Sequence, residues 1–149
     1  MTAPEAIRYL KPTEKAGALF LQRGIKGCVI MLNLLRLRSV ADYTAHPDLA
    51  PAAPISGAAA FDRYIRHTLP FLRASGGDAM LLAAGGPLLI GPQSERWDIA
   101  MLIRQSSVAS FLSFASNDAY LAGLGHRTAA IEDSRLLPLV ELPLPCPVL

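Results

Sequence analysis

His126 and Arg127 are the adjacent residues best suited to move a proton and hold an anion, and they follow Gly125. Histidine titrates near neutral pH, and arginine can hold a carboxylate through two parallel hydrogen bonds. Together they could serve as a general acid/base and an anion clamp at a cavity rim. The alternative is a surface turn in which Arg127 forms an ion pair with Glu132 or Asp133.

Asn33 lies in the middle of an apolar segment, VIMLNLLRLR at positions 29–38. A buried amide whose hydrogen bonds are unmade costs about 1–3 kcal/mol, so its partners matter. It either bonds a neighbouring loop or a second subunit and sets the strand register, or it points into a cavity and orients a ligand carbonyl or hydroxyl. Both interpretations stay open at the level of sequence.

Four further side chains are candidate ligand contacts: Tyr64, Trp97, Arg36 and Arg135. Tyr64 flanks the apolar stripe of a predicted helix, where its ring would pack and its hydroxyl could reach a cavity. Trp97 is a candidate core or interface anchor or, alternatively, a stacking surface. Arg36 and Arg135 lie near strand ends, where they could pair across the sheet or line a cavity mouth.

Other kinds of site are disfavoured by spacing. The three histidines have no ligand-like spacing, and Cys28 and Cys146 form no metal or redox motif, so we predict no metal and no cofactor. Gly85-Gly86-Pro87 precedes a strand, unlike a phosphate-binding loop. No Ser or Cys has the context of a catalytic nucleophile. The two cysteines are expected to be unpaired thiols.

Composition limits the classes of partner. The 149 residues are expected to form one domain, and 52% of them are hydrophobic while 17% are charged. This apolar excess favours a large apolar interface. The net charge is only +2 and the charges are interspersed, which disfavours binding to nucleic acid or a membrane. We recognise no secretory signal or membrane span and expect a cytoplasmic protein.

Hydrophobic periodicity predicts the elements that must position the candidate residues. The order is strand, helix, strand, strand, helix, strand, with strands near 28–35, 79–91, 96–104 and 135–142. This is the ferredoxin-like βαββαβ pattern of α+β proteins, with a four-stranded antiparallel sheet. Right-handed crossovers place both main helices on one face of that sheet.

The predicted domain, residues 28–142, is flanked by extensions. Residues 1–27 are an N-terminal extension with a short helix over 14–22, and residues 143–149 are an extended Pro-rich tail. Residues 42–57, with three prolines and no periodicity, are a loop that is either a lid or an insertion.

The first strand predicts self-association, because it is apolar on both faces. The helices of one chain can cover only one face of the sheet. A second copy is the simplest cover for the other face. We therefore predict a homodimer with sheets packed face to face, with the C-terminal tail as a candidate clasp.

Several stretches, taken in order, resemble a known family. They are VIMLNLLRLR, FDRYIRHTLPFLRASGG, ERWDIAMLIR and NDAYLAGLGHRTAAIEDSRLLPL. Over about residues 28–140 the chain resembles the domain-of-unknown-function 1330 family, a branch of the dimeric α/β-barrel superfamily. The resemblance implies a dimeric barrel with a cavity between each sheet and its helices. It implies no reaction, because the superfamily includes cofactor-free monooxygenases, muconolactone isomerases, haem-dependent chlorite dismutases and stress-induced proteins.

Two functional hypotheses follow. The first is a small-molecule-binding dimer that acts as a cofactor-independent monooxygenase- or isomerase-like enzyme on a small carbonyl or aromatic compound. In it His126 is the acid/base, Arg127 and Asn33 polarise the ligand, and Tyr64 orients it. The second is a non-catalytic stress-response or interaction protein. The enzyme hypothesis requires that Asn33, Tyr64 and His126 reach the same cavity, and the non-catalytic hypothesis does not.

Overall fold

A computed structural model describes residues 7–145. Cys146 and the rest of the predicted 143–149 tail after Pro145 lie outside the described residues. The elements, in chain order, are α1 (Glu14–Gln22), β1 (Val29–Leu37), a 3-10 turn (Pro47–Leu49), α2 (Gly57–Ala74), β2 (Asp78–Pro87), β3 (Arg96–Gln105), α3 (Val108–Ala115), α4 (Asp118–Leu121), α5 (Leu124–Ala130) and β4 (Ile131–Leu139).

The four strands form one antiparallel sheet in the order β2-β3-β1-β4. The two central strands are therefore the first and third along the chain, which confirms the ferredoxin-like α+β prediction.

Pro138 lies on the edge strand β4, where its missing N–H leaves no ladder hydrogen bond unmade. The last strand begins at Ile131 rather than near 135, because α5 ends at Ala130.

Hydroxyl side chains cap the N-termini of α1, α2 and α3. Thr13, Ser56 and Ser107 each accept a hydrogen bond from the backbone N–H three residues ahead. These caps satisfy donors that the first helical turn leaves free. In α2 the buried side chains lie along one side of the helix and form an apolar stripe: Ala60, Phe61, Tyr64, Thr68 and Leu72. Tyr64, which the sequence placed beside the stripe, is part of it.

Strand alternation gives the sheet two different faces. On β1, Met31, Asn33 and Leu35 point toward the helices and are buried. Leu35 packs there with Met101 of β3 and with side chains of α2, α4 and α5. The core of the domain therefore lies between one face of the sheet and the helices.

The opposite face carries a row of four leucines that crosses all four strands. Leu32 lies beside Leu102 on one side and Leu137 on the other, and Leu102 lies beside Leu81. Leu81 and Leu137, on the edge strands, are 48% and 53% exposed. We call these four residues the leucine row.

Candidate functional site

A cavity of about 1000 Å³ lies between the helix-facing side of the sheet and the helices. This volume is at the upper end of the range typical for small-molecule sites. Met31, Asn33 and Met101 of the central strands form part of its floor. The walls come from α2, α3 and α4, and its cover comes from α1 and the segment before it.

The cover of the cavity differs from the sequence-based expectation. Of the described residues that line the cavity, none belongs to the loop 42–57. That loop instead packs on α5, where Asp42 N donates to Ala129 O at 2.9 Å. Residues 9–12 and α1 line one side of the cavity, although α1 buries none of its own residues. Periodicity predicted that α1 exists but carried no signal for where it docks.

Most of the lining is apolar, with aliphatic and aromatic side chains from every helix that surrounds the cavity. They include Leu19 and Phe20 of α1, Leu69 of α2, and Phe111 and Phe114 of α3. Phe20 meets Phe111 edge-on, with 6.0 Å between ring centroids, which joins the cover to the wall. The cavity thus offers a large apolar volume in which a few polar groups stand out.

Asn33, in the central strand β1, is one of these polar groups. Its Nδ2 donates to Met31 O of the same strand at 3.1 Å. Its carbonyl oxygen accepts no hydrogen bond from any residue between 7 and 145. Because Asn33 lines the cavity, that oxygen is an acceptor available to a ligand.

Tyr64 of α2 and Tyr120 of α4 form a hydroxyl pair at the cavity wall, 2.9 Å apart. Burial, together with the neighbouring Tyr64 hydroxyl, raises the pKa of Tyr120 far above its usual range, so this phenol stays protonated. Two hydroxyls that share one hydrogen bond leave one O–H free for a third partner. Sequence reasoning missed Tyr120, although Asn117, which caps α4, marked the start of its helix.

Arg127 of α5 also lines the cavity. Its Nη1 donates to Leu10 O at 3.0 Å and its Nη2 to Ser134 Oγ at 3.5 Å. The alternative ion pair with Glu132 or Asp133 is not formed, because those carboxylates face Arg36 and Arg135 instead. Arg127 therefore carries its charge at the cavity wall without a carboxylate partner among residues 7–145.

Arg135 lines the cavity too, but its charge is matched. Its Nη1 lies 2.9 Å from Asp133 Oδ1, and its guanidinium lies 4.6 Å from the Tyr9 ring centroid. Burial raises the pKa of Asp133, but hydrogen bonds from Tyr9 N, Arg135 and Ser134 N outweigh that effect and lower it. The pair is thus a fixed structural element at the rim.

Arg36 and Trp97 do not line the cavity in the described part of the chain. Arg36 lies 3.6 Å from both Glu132 and Asp133, which is the cross-sheet pairing considered from sequence. Trp97 is 5% exposed and donates from Nε1 to Glu95 Oε1 at 3.1 Å. Its position is that of a buried anchor, with the Arg135 guanidinium 5.1 Å from its ring centroid.

His126 lies apart from the other candidate residues. Its Nδ1 is hydrogen-bonded at 2.8 Å to the hydroxyl of Tyr43, in the loop that packs on α5. Burial, and then the positive charge of Arg63 and the nearby His67, lower the pKa of His126. It is not among the described residues that line the cavity. Asn33, Tyr64, Arg127 and Arg135 thus come together, whereas His126 does not join them.

Residues 7–145 contain neither a metal-ligand cluster nor a membrane-spanning helix. No group of three or more His, Cys, Asp or Glu side chains is placed to hold a metal ion in that range. Within the same range, no helix has the length and apolarity needed to cross a membrane.

Fold and cavity together define a ferredoxin-like α+β protein with a large cavity between its sheet and its helices. No family model matches the chain, so the domain-of-unknown-function 1330 resemblance is not confirmed, and no curated protein matches it. A dabb family protein with a ferredoxin-like fold from Mesorhizobium loti matches 79% of this chain and 100% of its own, at 12% identity and a TM-score of 0.44.

Much greater similarity is found to RPA0582, a protein of unknown function from Rhodopseudomonas palustris. Its crystal structure matches with a TM-score of 0.81 and 34% identity over 92% of this chain and 99% of that chain. The crystal structure of methylated RPA0582 gives the same TM-score and identity over 97% of its chain. The chain belongs to the RPA0582 family.

Proposed function

We propose that this protein binds a small, mainly apolar molecule in the cavity between its sheet and its helices. The observation that carries the proposal is the cavity itself: about 1000 Å³, apolar over most of its lining, with a few polar groups among those side chains. Small-molecule sites combine apolar walls with a few oriented polar groups in this way. Asn33, Tyr64, Arg127 and Arg135 are the proposed ligand contacts.

The proposal is for binding and assigns no reaction. The acid/base role considered for His126 needs that ring within hydrogen-bond reach of the ligand. Its bond to Tyr43 and its place outside the cavity lining speak against that role. The monooxygenase- and isomerase-like hypotheses therefore have less support than binding. Arg36 and Trp97 are left out of the proposed contacts for the same geometric reason.

We also propose that the protein is a homodimer that buries the leucine row. Four leucines on four neighbouring strands form an uncharged strip. In the next row, Leu34 lies beside Ala100 and Ala83 on β3 and β2, and a charged residue, Arg135, lies only at the edge strand β4. A two-fold axis places the same strip on both partners, so each copy supplies a matching apolar surface. This pairing leaves the cavity, on the other face of the sheet, free for a ligand. The alternative is an interaction protein whose leucine row binds a different chain.

The binding proposal can be tested with Nile red, an uncharged dye whose fluorescence rises in apolar surroundings. Ala115 and Ala109 both lie on α3, but only Ala115 lines the cavity and Ala109 is exposed. We expect saturable dye binding to the wild-type protein. Ala115→Trp should weaken it at least about tenfold by filling the cavity, whereas Ala109→Trp should leave it unchanged.

Thermal unfolding of both variants serves as the control for folding. Absence of saturable binding by the wild-type protein would contradict the proposed function. Equal binding by the folded Ala115→Trp variant would also contradict it, because the dye would then bind elsewhere.

A further inference from the structure

We infer that the ligand is an amphipathic organic anion, with its apolar part in the cavity and its carboxylate held by Arg127. This inference rests on the proposed function and adds the chemical class of the ligand. It is carried by the charges of the lining, by the hydrogen bonds of Arg127 and by the donor groups beside it.

The charged residues that line the cavity in the described part of the chain are all positive. Among the described residues that line it, four are basic and none is acidic; the basic ones are Lys11, Arg23, Arg127 and Arg135. The whole chain has 14 basic and 12 acidic residues, so composition does not explain the asymmetry. A cavity with cationic groups and low-dielectric walls attracts anions and disfavours cations.

The four basic groups differ in what they can still bind. Arg135 is paired with Asp133, and Arg23 is exposed and donates to Pro138 O at 2.7 Å. Lys11 is exposed to solvent, which weakens its attraction for an anion. Arg127 is the half-buried group whose charge no carboxylate of residues 7–145 matches.

Arg127 has unused hydrogen-bonding capacity. A guanidinium has five N–H donors, and two of them are used here, on the neutral oxygens of Leu10 and Ser134. Those two bonds hold the side chain in place without neutralising it. A carboxylate, which accepts from a guanidinium through two parallel bonds, supplies the missing negative charge.

Hydroxyl groups that line the same cavity add donors for the anion. Arg127 lies close enough to Tyr120 for its charge to act on that hydroxyl, against the stronger effect of burial on the pKa of Tyr120. The Tyr64–Tyr120 pair keeps one O–H free, and the buried hydroxyl of Thr68, also in the lining, has no hydrogen-bond partner among the described residues. Hydroxyl donors in the same cavity as an unmatched guanidinium suit an acceptor-only group such as a carboxylate.

The test compares three ten-carbon probes that differ only in their head group: decanoate, decan-1-ol and decylamine. Each competes with Nile red at low salt and neutral pH. We expect decanoate to bind at least about tenfold more tightly than decan-1-ol, and decylamine to bind more weakly than decan-1-ol. Arg127→Met should reduce decanoate binding to the level of decan-1-ol. It should change decan-1-ol binding by less than about twofold.

Arg66→Met is the matched control, because Arg66 is exposed and bonds Asp62 on α2 outside the cavity. It should leave the preference for decanoate unchanged. Equal binding of decanoate and decan-1-ol by the wild-type protein would overturn the inference but leave the proposed function intact. Failure of all three probes and of Nile red would overturn both.

A second measurement covers the case in which Arg127→Met does not fold. High salt screens a charge-based preference and barely affects apolar contacts. In the wild-type protein the affinity ratio of decanoate to decan-1-ol should therefore fall as salt rises. A ratio that is independent of salt would overturn the inference.

Discussion

Two adjacent residues of α5, His126 and Arg127, have different surroundings. They were grouped from sequence as one acid/base and anion clamp in a turn, but they lie in a helix. Neighbouring side chains on a helix point about 100° apart, so both cannot face the same cavity wall. Arg127 faces the cavity and His126 faces Tyr43.

The lowered pKa of His126 makes the stability of the protein depend on pH. The unfolded chain binds the proton more readily, so stability is complete above the ordinary histidine pKa of about 6.5 and falls as pH drops through it. The His126→Asn substitution replaces the titrating imidazole with an amide that does not bind a proton in this pH range. We expect the wild-type protein to lose its stability advantage over this variant between about pH 7.5 and pH 5.

Urea unfolding at several pH values measures this effect. The Tyr43→Phe variant, which keeps the histidine, is the control and should retain the wild-type direction of pH dependence. Wild-type and His126→Asn curves that stay parallel across the range would show that His126 does not titrate differently on folding.

The junction of β1, α2 and α5 illustrates how elements constrain one another. Gly57, the first residue of α2, donates from its N to Arg38 O at 3.1 Å, just after the end of β1. A Cβ there would collide with Arg38 O and would lie 2.8 Å from Ala130 O, at the end of α5. Three elements thus meet where only glycine fits.

Gly57→Ala should therefore destabilise the protein by more than about 2 kcal/mol, because backbone atoms must shift. Gly17→Ala is the matched control on α1, where an added Cβ has no atom within 4 Å. Because alanine favours a helix interior, Gly17→Ala should be neutral or stabilising by up to about 1 kcal/mol. Urea unfolding of both variants measures the difference, and equal effects would contradict this account.

At the scale of the whole molecule, the two faces of the sheet have different roles. One face holds the core and the cavity, and the other carries the leucine row. An exposed apolar strip across a whole sheet is typical of an interaction surface. Burial of this strip between two copies would leave the cavities on the outer sides of the sheets, beneath the helices.

Leu137→Lys should convert the proposed homodimer into a monomer. Leu137 is 53% exposed in the single chain, so lysine is tolerated there, but two lysines at a two-fold interface would be desolvated and would repel. Sedimentation velocity at micromolar concentration measures the mass. Leu112→Lys on α3, at 44% exposure, is the control and should remain dimeric. A wild-type monomer would contradict the proposed assembly.

Much of the fold could be predicted because it depends on local patterns. The caps at Thr13, Ser56 and Ser107 and the α2 stripe follow from a few neighbouring residues. Asn33 was found as a candidate because an amide in an apolar run stands out locally, and Tyr64 was found because it flanks the apolar stripe of a predicted helix. Tyr120 was missed because nothing in its local sequence distinguishes it, and its hydrogen-bond partner, the Tyr64 hydroxyl, is distant along the chain.

The sequence by itself determined the order of the elements, the antiparallel ferredoxin-like arrangement and the apolar character of both faces of β1, because spacing and polarity encode these properties. Only the tertiary structure decided that α1, and not the loop 42–57, covers the cavity. It also decided that Asp133 pairs with Arg135 and leaves Arg127 unmatched among the described residues. The physical reason is that the N-terminal segment docks on residues more than 100 positions away, as Leu10 does on Arg127, and a local pattern carries no information about such contacts.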